Sequence, residues 1–482
     1  MKRQKLFTSL ILLLLALLTN ACGASIDASK ARSRGLINRG YIVPAEEVHV
    51  AEYLNYYEQR FPEPTQQPLA LDVRLGNVSV PRQGGDVWMQ IGLQAATPTD
   101  KQRTPLNLAL VLDKSGSMKE EGKMAYLKES LALFLHSLAP DDIIAIVAYS
   151  DEAELLLPAQ PVGDARWIQA TIDNLQPDGW TNLHAGMMMG FREVEKHFDI
   201  RRNNRVILLT DGIANRGVSN PAQVAADAKA YNDRNIYLST IGLGTMLDEN
   251  LLHRLAAQGH GAYHFIDSPQ EMRKVFEDEV TGLVEKVARD ITLTLESEAG
   301  DLQYLVGYDK TPPARGAKIA LNDMGAGDSQ VVLAQFRMAS LHQPATLAKL
   351  TLTYTDVFGQ RQRNESRTIT IYPGSNSSDP LDDVEVMRNV TIVRSAQALK
   401  RIDDLFMEGR YAEARELARQ MEATLRRVAA ATGDSQMVED ADLFQRYQLS
   451  LTAEDEAGSA PQQSQRWGQP TATPALKAIT ID

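Results

Sequence analysis

The sequence predicts a doubly wound α/β domain that is inserted in or followed by a β-sandwich, with a helical hairpin after it. Residues 105–288 alternate continuous apolar runs with amphipathic stretches of helical period, which is typical of a parallel sheet covered by helices on both faces. Residues 289–372 alternate apolar and polar positions between turn signals, which indicates a small β-sandwich. Residues 381–448 return to helical periodicity.

The α/β domain is defined by five apolar runs and the segments between them. The runs predict buried strands at 106–112, 143–149, 205–210, 236–242 and 262–266. The amphipathic segments predict helices near 120–138, 166–175, 183–198, 221–234, 248–258 and 269–288.

An N-terminal extension over 43–104 combines one amphipathic segment, from Pro44 to Arg60, with two alternating ones. The alternating segments, Ala70–Val80 and Val87–Ala95, are separated by a Gly-containing turn and predict two strands. We expect these strands to join the sandwich, which would make the α/β domain an insertion.

Two helices are predicted beyond the linker at 373–380. Apolar positions from Val390 to Leu405 mark the first, and those from Tyr411 to Val428 mark the second, with Gly409 between them. The tail at 449–482 is rich in Pro, Gln, Ser and Thr and is predicted to be disordered.

The chain is acidic. Its formal net charge is −12, and the basic residues Lys2, Arg3 and Lys5 are the charged residues of the first 21 positions. Without that segment the charge would be close to −15. Such a chain repels phosphate backbones, so we expect no nucleic-acid partner, whereas Ca²⁺ or Mg²⁺ would be attracted.

The N-terminus resembles a bacterial lipoprotein signal. The basic residues precede an apolar run, Leu10–Leu18, that is too short to span a bilayer, and Cys22 is the only cysteine of the chain. Residues 1–21 are therefore predicted to be a signal peptide, Cys22 the lipidation site, and 22–42 a polar tether. The implied location is a cell or outer membrane, lipid-anchored and facing the periplasm or the exterior. Ordinary cleavage near Ala21 or Ala24 is the alternative.

The segment after the first apolar run carries the most specific chemistry. Asp113, Ser115 and Ser117 form a D-x-S-x-S pattern there, Thr181 stands just before a predicted helix, and Asp211 follows a later strand. In open α/β sheets, ligands bind beyond the carboxyl ends of the strands. These five residues therefore predict a single site of oxygen ligands.

Such a ligand set suits Mg²⁺, while Mn²⁺ or Ca²⁺ could replace it. If the hydroxyls touch the ion and the aspartates bind through water, the ion keeps most of its positive charge. A Glu or Asp carboxylate from a partner protein could then complete its coordination.

At these five positions the chain resembles the von Willebrand factor type A (VWA) family and its metal-ion-dependent adhesion site. The resemblance implies that Asp113, Ser115, Ser117, Thr181 and Asp211 hold the ion. Residues 41–62 and Leu305–Tyr308 look like flanking segments of bacterial VWA lipoproteins of the calcium-activated chloride channel-like subfamily. In family relatives, ligation at the metal is coupled to movement of the last helix, here about 269–288.

Enzyme motifs are not found in the sequence. There is no H-E-x-x-H and no G-x-S-x-G, and the Gly116–Met124 segment is one residue too long for a phosphate-binding loop, with Met where Ser or Thr is required. We expect a non-enzymatic adhesion or assembly module. The alternative is a structural scaffold whose ion only stabilises the fold and whose C-terminal helices bind the partner. An ion-channel component has only the subfamily label in its favour.

Overall fold

In a computed structural model, the α/β domain interrupts a β-sandwich, and helices from both ends of the chain cover one face of that sandwich. The structure describes residues 28–97, 104–136, 138–163, 166–244, 247–259, 261–266, 275, 286–306, 315–357, 359, 361–374 and 381–457. The predicted signal peptide and Cys22 lie outside these ranges, as do the linker residues 375–380.

The α/β domain is built on one six-stranded sheet. Its strands are β4 (Leu106–Asp113), β5 (Ile143–Tyr149), β6 (Ala153–Pro161), β7 (Asn203–Thr210), β8 (Tyr237–Leu243) and β9 (Tyr263–Ile266). They run in the order β6-β5-β4-β7-β8-β9, and every neighbouring pair is parallel except β5 and β6. The doubly wound parallel sheet is thus confirmed.

Both faces of this sheet are buried, as continuous apolar strands require. Leu108 and Leu110 face one core, whereas Ala109 and Val111 face the other. The helices beside the sheet are α3 (Lys123–His136), α4 (Arg166–Asp173), α5 (Leu183–Lys196), α6 (Pro221–Asn232) and α7 (Glu249–Gln258).

The antiparallel edge strand β6 was not predicted. Its residues are mostly half-buried or exposed and include Pro158. Proline is tolerated at a sheet edge because no partner strand needs its missing N–H. Its apolar run is limited to Leu155–Ala159, includes this proline and lies between Glu154 and Gln160, so it is shorter than the runs that identified its buried neighbours.

The sandwich is formed by strands from both sides of the α/β domain. Its strands are β1 (Leu69–Leu75), β2 (Ser79–Pro81), β3 (Gly85–Ala95), β10 (Lys286–Ser297), β11 (Gly300–Leu305), β12 (Gly316–Ala320), β13 (Met324–Gly325), β14 (Ser329–Met338), β15 (Ala345–Asp356) and β16 (Arg361–Gly374). One sheet has the order β1-β3-β14-β11 and the other β12-β10-β15-β16-β2, with β13 paired to β10. Because β3 pairs with β14 along its length, the α/β domain is an insertion.

The predicted last helix of the α/β domain, 269–288, needs a correction at its end. Residues 286–288 belong to β10 and not to a helix, because they pair with strands of the sandwich. Val275 is helical and buried, and the other residues from 267 to 285 lie outside the described part of the chain.

The predicted tether at 22–42 is wrong from residue 28 onward. Ala28–Asn38 form helix α1, and a short 3-10 turn at Ala45–Glu47 leads into helix α2 (Val50–Tyr56). Leu36 and Ile42 are fully buried. The polar residues that suggested a tether are buried too, because Arg32 meets Glu47 and Glu249, and Lys30 meets Asp440.

The C-terminal hairpin is a set of three helices. They are α8 (Val384–Met407), α9 (Tyr411–Thr432) and α10 (Ser435–Ala457). The third helix was not predicted, and it extends into the segment 449–482 that was expected to be disordered. Its buried residues Phe444, Tyr447 and Leu451 pack in the core shared with α1 and α2, so tertiary contacts hold it.

These N-terminal and C-terminal helices cover the outer face of the sheet containing β3 and β14. Val331 and Leu333 point into the helical core, whereas Val332 and Ala334 point into the sandwich. In the described part of the chain, no helix combines the length and the apolar character needed to cross a membrane.

Candidate metal centre

The five predicted ligands lie on three loops at the carboxyl edge of the parallel sheet. Asp113 ends β4, Asp211 directly follows β7, and Thr181 precedes α5. Strands β4 and β7 are direct neighbours, with Leu112 opposite Leu209. The first and third loops therefore emerge side by side.

Backbone hydrogen bonds fix the second loop between the other two. Gly116 donates its N–H to the carbonyl of Gly179 at 3.0 Å, which joins the first loop to the second. Asn215 donates its N–H to the carbonyl of Thr181 at 3.2 Å, which joins the third loop to the second. These backbone hydrogen bonds hold the three loops next to one another, and the loops carry the five predicted ligand side chains.

Side-chain oxygens form a continuous chain across the first and third loops. The hydroxyl oxygens of Ser115 and Ser117 are 3.1 Å apart, and Ser117 Oγ donates to Oδ1 of Asp211 at 2.7 Å. Thr181 approaches the same place, because a Cβ on Gly212 would lie 3.5 Å from Thr181 Oγ1 and 3.9 Å from Ser117 Oγ. The structure thus joins the oxygens of Ser115, Ser117 and Asp211, and it places Thr181 Oγ1 near the same glycine.

Asp113 is the most deeply buried of the five, with no exposed surface. Its Oδ1 accepts from the backbone N–H of Ser115 at 2.8 Å, and its Oδ2 accepts from the hydroxyls of Thr210 at 2.7 Å and Tyr149 at 3.3 Å. Burial raises the pKa of this carboxyl to about 6, although the bonds from Ser115 and Thr210 favour the ionised form. A nearby cation would favour the ionised form further.

Thr210 and Tyr149 were not predicted as part of the site. Tyr149 ends β5, and its single hydroxyl proton lies between two acceptors, Oδ2 of Asp113 and the carbonyl of Leu209 at 3.0 Å. Both residues lie within apolar strand segments. Thr and Tyr are ordinary residues of strands, so nothing in the sequence distinguished them as part of the site.

Lys123 is a further residue that the sequence did not indicate. Its ammonium group donates to Oδ2 of Asp211 at 2.9 Å, and the Asp211 side chain is completely buried. Lys123 begins helix α3, directly after the 3-10 turn that carries Ser117. It supplies one positive charge opposite the two aspartates of the site.

The donor set fits a hard divalent cation. An octahedral ion with bonds of about 2.1 Å holds neighbouring oxygens about 3 Å apart. The Ser115–Ser117 and Ser117–Asp211 separations, 3.1 and 2.7 Å, lie close to that spacing. Asp113, Ser115, Ser117, Thr181 and Asp211 could therefore hold such an ion, directly or through water.

Exposed apolar side chains stand on the loops around these oxygens. Trp180, next to Thr181, is 60% exposed, and Ile213, next to Gly212, is 53% exposed. Lys114 of the first loop pairs with Asp178 at 3.1 Å. Asn215 accepts the N–H of Thr181 at 2.8 Å and so supports the second loop.

Comparison with known proteins agrees with this fold. Residues 107–278 match the model of the von Willebrand factor type A domain. The chain is 28% identical over 335 residues to the uncharacterized protein YfbK of Escherichia coli (strain K12), covering 67% of this chain and 58% of that protein. It is 27% identical over 208 residues to the human inter-alpha-trypsin inhibitor heavy chain H3, covering 40% of this chain and 22% of that one. The chain thus spans less than two thirds of either relative.

A solved structure extends the likeness beyond this one domain. The von Willebrand factor type A protein from Catenulispora acidiphila superimposes with a TM-score of 0.54 at 16% identity. The match covers 81% of this chain and 98% of that one, and at this identity it concerns the fold. Together with the doubly wound sheet, these matches identify residues 107–278 as a von Willebrand factor type A domain.

Proposed function

We propose that this chain is a non-enzymatic module that binds a partner protein through a divalent metal ion in its VWA domain. The ion is held by Asp113, Ser115, Ser117, Thr181 and Asp211, and Mg²⁺ is the preferred species. An acidic side chain of the partner completes the coordination of the ion.

The observation that carries this proposal is the contact of two serine hydroxyls with one aspartate, beside a glycine that Thr181 also borders. Ser117 Oγ lies 3.1 Å from Ser115 Oγ and 2.7 Å from Asp211 Oδ1, and a Cβ on Gly212 would lie 3.5 Å from Thr181 Oγ1. Neutral hydroxyls leave the charge of an ion largely uncompensated. An additional carboxylate would therefore bind strongly to it.

The surroundings of the site support a protein partner. Trp180, Ile213 and Val218 are exposed by 60%, 53% and 37% on the loops of the site. Exposed tryptophans surrounded by polar residues are frequent anchors in protein interfaces. We infer that these apolar side chains pack against the partner while the ion takes its carboxylate.

The site of action follows from the N-terminus. A lipid on Cys22 would hold the chain at a cell or outer membrane, facing the periplasm or the exterior. Radiolabelled palmitate incorporation into the parent chain and into Cys22→Ala tests this part separately. Incorporation that is equal in both would contradict the anchor.

The metal site is tested first, by titrating the purified chain with Mn²⁺ and recording the electron paramagnetic resonance signal of the free ion. We expect about one bound ion per chain, displaced by Mg²⁺, and loss of that binding in the double variant Ser115→Ala/Ser117→Ala. Ser219→Ala is the matched control, because Ser219 is an exposed serine on the third loop. Equal binding by the double variant would contradict the site.

Partner binding is tested second, with the immobilised chain and an envelope extract. Proteins retained with Mg²⁺ are identified by mass spectrometry, and each is purified and bound again to the parent and to the double variant. We expect binding that requires Mg²⁺, is abolished by EDTA and is absent from Ser115→Ala/Ser117→Ala. A purified partner that binds equally well under all three conditions would overturn the metal-bridge mechanism.

The scaffold alternative assigns partner binding to the C-terminal helices. Val390, Leu399 and Leu405 of α8 are buried in a core that also contains Leu333 of the sandwich. This part of the apolar surface of α8 is thus used within the chain. Met407 of α8 and Val438 and Leu449 of α10 remain exposed.

A further inference from the structure

Two histidines and a glutamate meet where the N-terminal helices contact the VWA domain. His49 immediately precedes α2, Glu52 lies in its first turn, and His253 lies on α7 of the VWA domain. One ligand atom from each of the three residues lies within 4.8 Å of the other two. None of these three side chains lies on the loops or strands that form the aspartate and serine site.

The three groups are enclosed. Glu52 is 4% exposed, and its Oε1 is shielded from solvent, as are Nε2 of His49 and Nε2 of His253. Oε1 of Glu52 and Nε2 of His253 are 2.7 Å apart. A buried carboxylate is costly unless a positive charge accompanies it, so this cluster requires a cation or a proton.

The two imidazoles are stacked on one another. Their centroids are 4.1 Å apart and their planes differ by 8°. Protonation of both rings at this separation would place two like charges in contact. A single divalent ion could instead bind one nitrogen from each ring and the carboxylate oxygen once one ring turns out of the stack, because the nitrogen lone pairs of stacked rings lie in parallel planes.

Ser29 holds the two ligands of α2 in place. Its N–H donates to Oε2 of Glu52 at 3.0 Å, which leaves Oε1 directed towards His253. Its hydroxyl accepts the N–H of His49 at 2.9 Å and donates to the carbonyl of Glu47 at 2.7 Å. Metal ligands are commonly oriented by such outer hydrogen bonds.

The neighbouring charges also favour a cation. The guanidinium of Arg32 is shared between Glu47 and Glu249, with Nε 2.8 Å from Oε2 of Glu47 and in contact with the carboxylate of Glu249. Glu249 lies one turn before His253 on α7. The junction therefore contains three carboxyl groups beside one guanidinium. Burial raises the pKa of Glu249 and so favours its neutral form, which leaves Glu47 and Glu52 opposite the single charge of Arg32.

We propose that His49, Glu52 and His253 form a zinc site that fastens the N-terminal helices to the VWA domain. Two imidazole nitrogens and one carboxylate oxygen are ligands that Zn²⁺ prefers, with water in the fourth position. Mg²⁺ prefers oxygen ligands, so the two sites of the chain differ in the ions they select. The binding of zinc here is independent of the proposed function of the adhesion site.

The test uses Co²⁺ as a spectroscopic substitute for zinc in the purified full chain, with Mg²⁺ in excess to occupy the oxygen site. We expect one equivalent of Co²⁺ to produce the visible absorption of a four-coordinate, nitrogen-ligated ion, and Zn²⁺ to remove it. In His253→Gln and in His49→Gln, on the two sides of the junction, we expect Co²⁺ binding to weaken by more than roughly a hundredfold.

Two control variants separate this site from other metal binding. His342→Gln changes an exposed histidine of the sandwich, and Ser115→Ala/Ser117→Ala removes the oxygen site; the cobalt absorption should persist in both. Zn²⁺ should also raise the melting temperature of the parent but not of His253→Gln. Absence of the absorption from the parent, or its persistence in both junction variants, would overturn the proposal and leave a plain histidine–glutamate ion pair.

Discussion

Lys123 donates a hydrogen bond from Nζ to Oδ2 of Asp211 at 2.9 Å, so the aspartate of the third loop already has a cationic partner. A divalent ion bound at the serines would share that aspartate with the ammonium group. The two cations would repel each other, and we therefore expect Lys123 to lower the affinity of this site for metal.

Replacement of this lysine should strengthen metal binding. In Lys123→Gln we expect Mn²⁺ to bind about five- to tenfold more tightly, which corresponds to about 1 kcal/mol of relieved repulsion in a partly buried site. The dissociation constant is measured by paramagnetic resonance titration. Lys119→Gln is the control, because Lys119 is an exposed lysine of the same 3-10 turn. Weaker binding by Lys123→Gln would show that the lysine supports the site.

Thr210 should influence the metal through Asp113. Its hydroxyl donates to Oδ2 of Asp113 at 2.7 Å, and Thr210→Val removes that donor without changing the shape of the side chain much. We expect a roughly tenfold loss of Mn²⁺ affinity and about 1–2 kcal/mol lower unfolding free energy. Thr210→Ser keeps the hydroxyl and should retain most of both. Equal losses in the two variants would point to packing as the cause.

Helix α5 is pressed onto strand β4 at Gly190. A Cβ there would lie 2.5 Å from Cγ2 of Val111, so Gly190→Ala should lower the unfolding free energy by about 1–3 kcal/mol. Urea denaturation measures the effect. Val111→Ala removes the clashing methyl, and the double variant should lose less than the two single losses combined. If the two losses of unfolding free energy were strictly additive, Gly190→Ala would not clash with Val111, and helix α5 would have moved away from β4 to make room.

The buried N-terminal helix should contribute to stability. Leu36 has no exposed surface, so Leu36→Ala should cost about 2–5 kcal/mol in urea unfolding. Asn38→Ala, at an exposed position of the same helix, should change little. A free tether would tolerate both substitutions equally, and that result would contradict the docked arrangement of α1.

The elements that could be predicted from sequence are those whose signal is local. The parallel strands appear as uninterrupted apolar runs, and the first loop appears as Asp113, Ser115 and Ser117 at fixed spacing. The insertion was expected because alternating segments occur on both sides of the α/β region, and the pairing of β3 with β14 confirms it.

The elements that escaped prediction depend on distant partners. Residues 28–42 look solvent-exposed because they are rich in Lys, Arg and Ser, yet Arg32 is buried against Glu249 and Lys30 against Asp440. Those acids lie far away in the chain. The same holds for His253, because its neighbours His49 and Glu52 lie before the VWA domain in the sequence and His253 lies within it.

The interrupted sandwich has a consequence for synthesis of the chain. Strand β3 ends at Ala95 and its partner β14 starts at Ser329, so roughly 230 residues must be made before the two can pair. At about 5–20 residues per second this delay lasts on the order of ten to fifty seconds. During that time the sandwich core that buries Met89 and Ile91 in the folded chain is incomplete. Exposed apolar side chains favour aggregation, so we expect the nascent chain to be prone to aggregation until its second half has been synthesised.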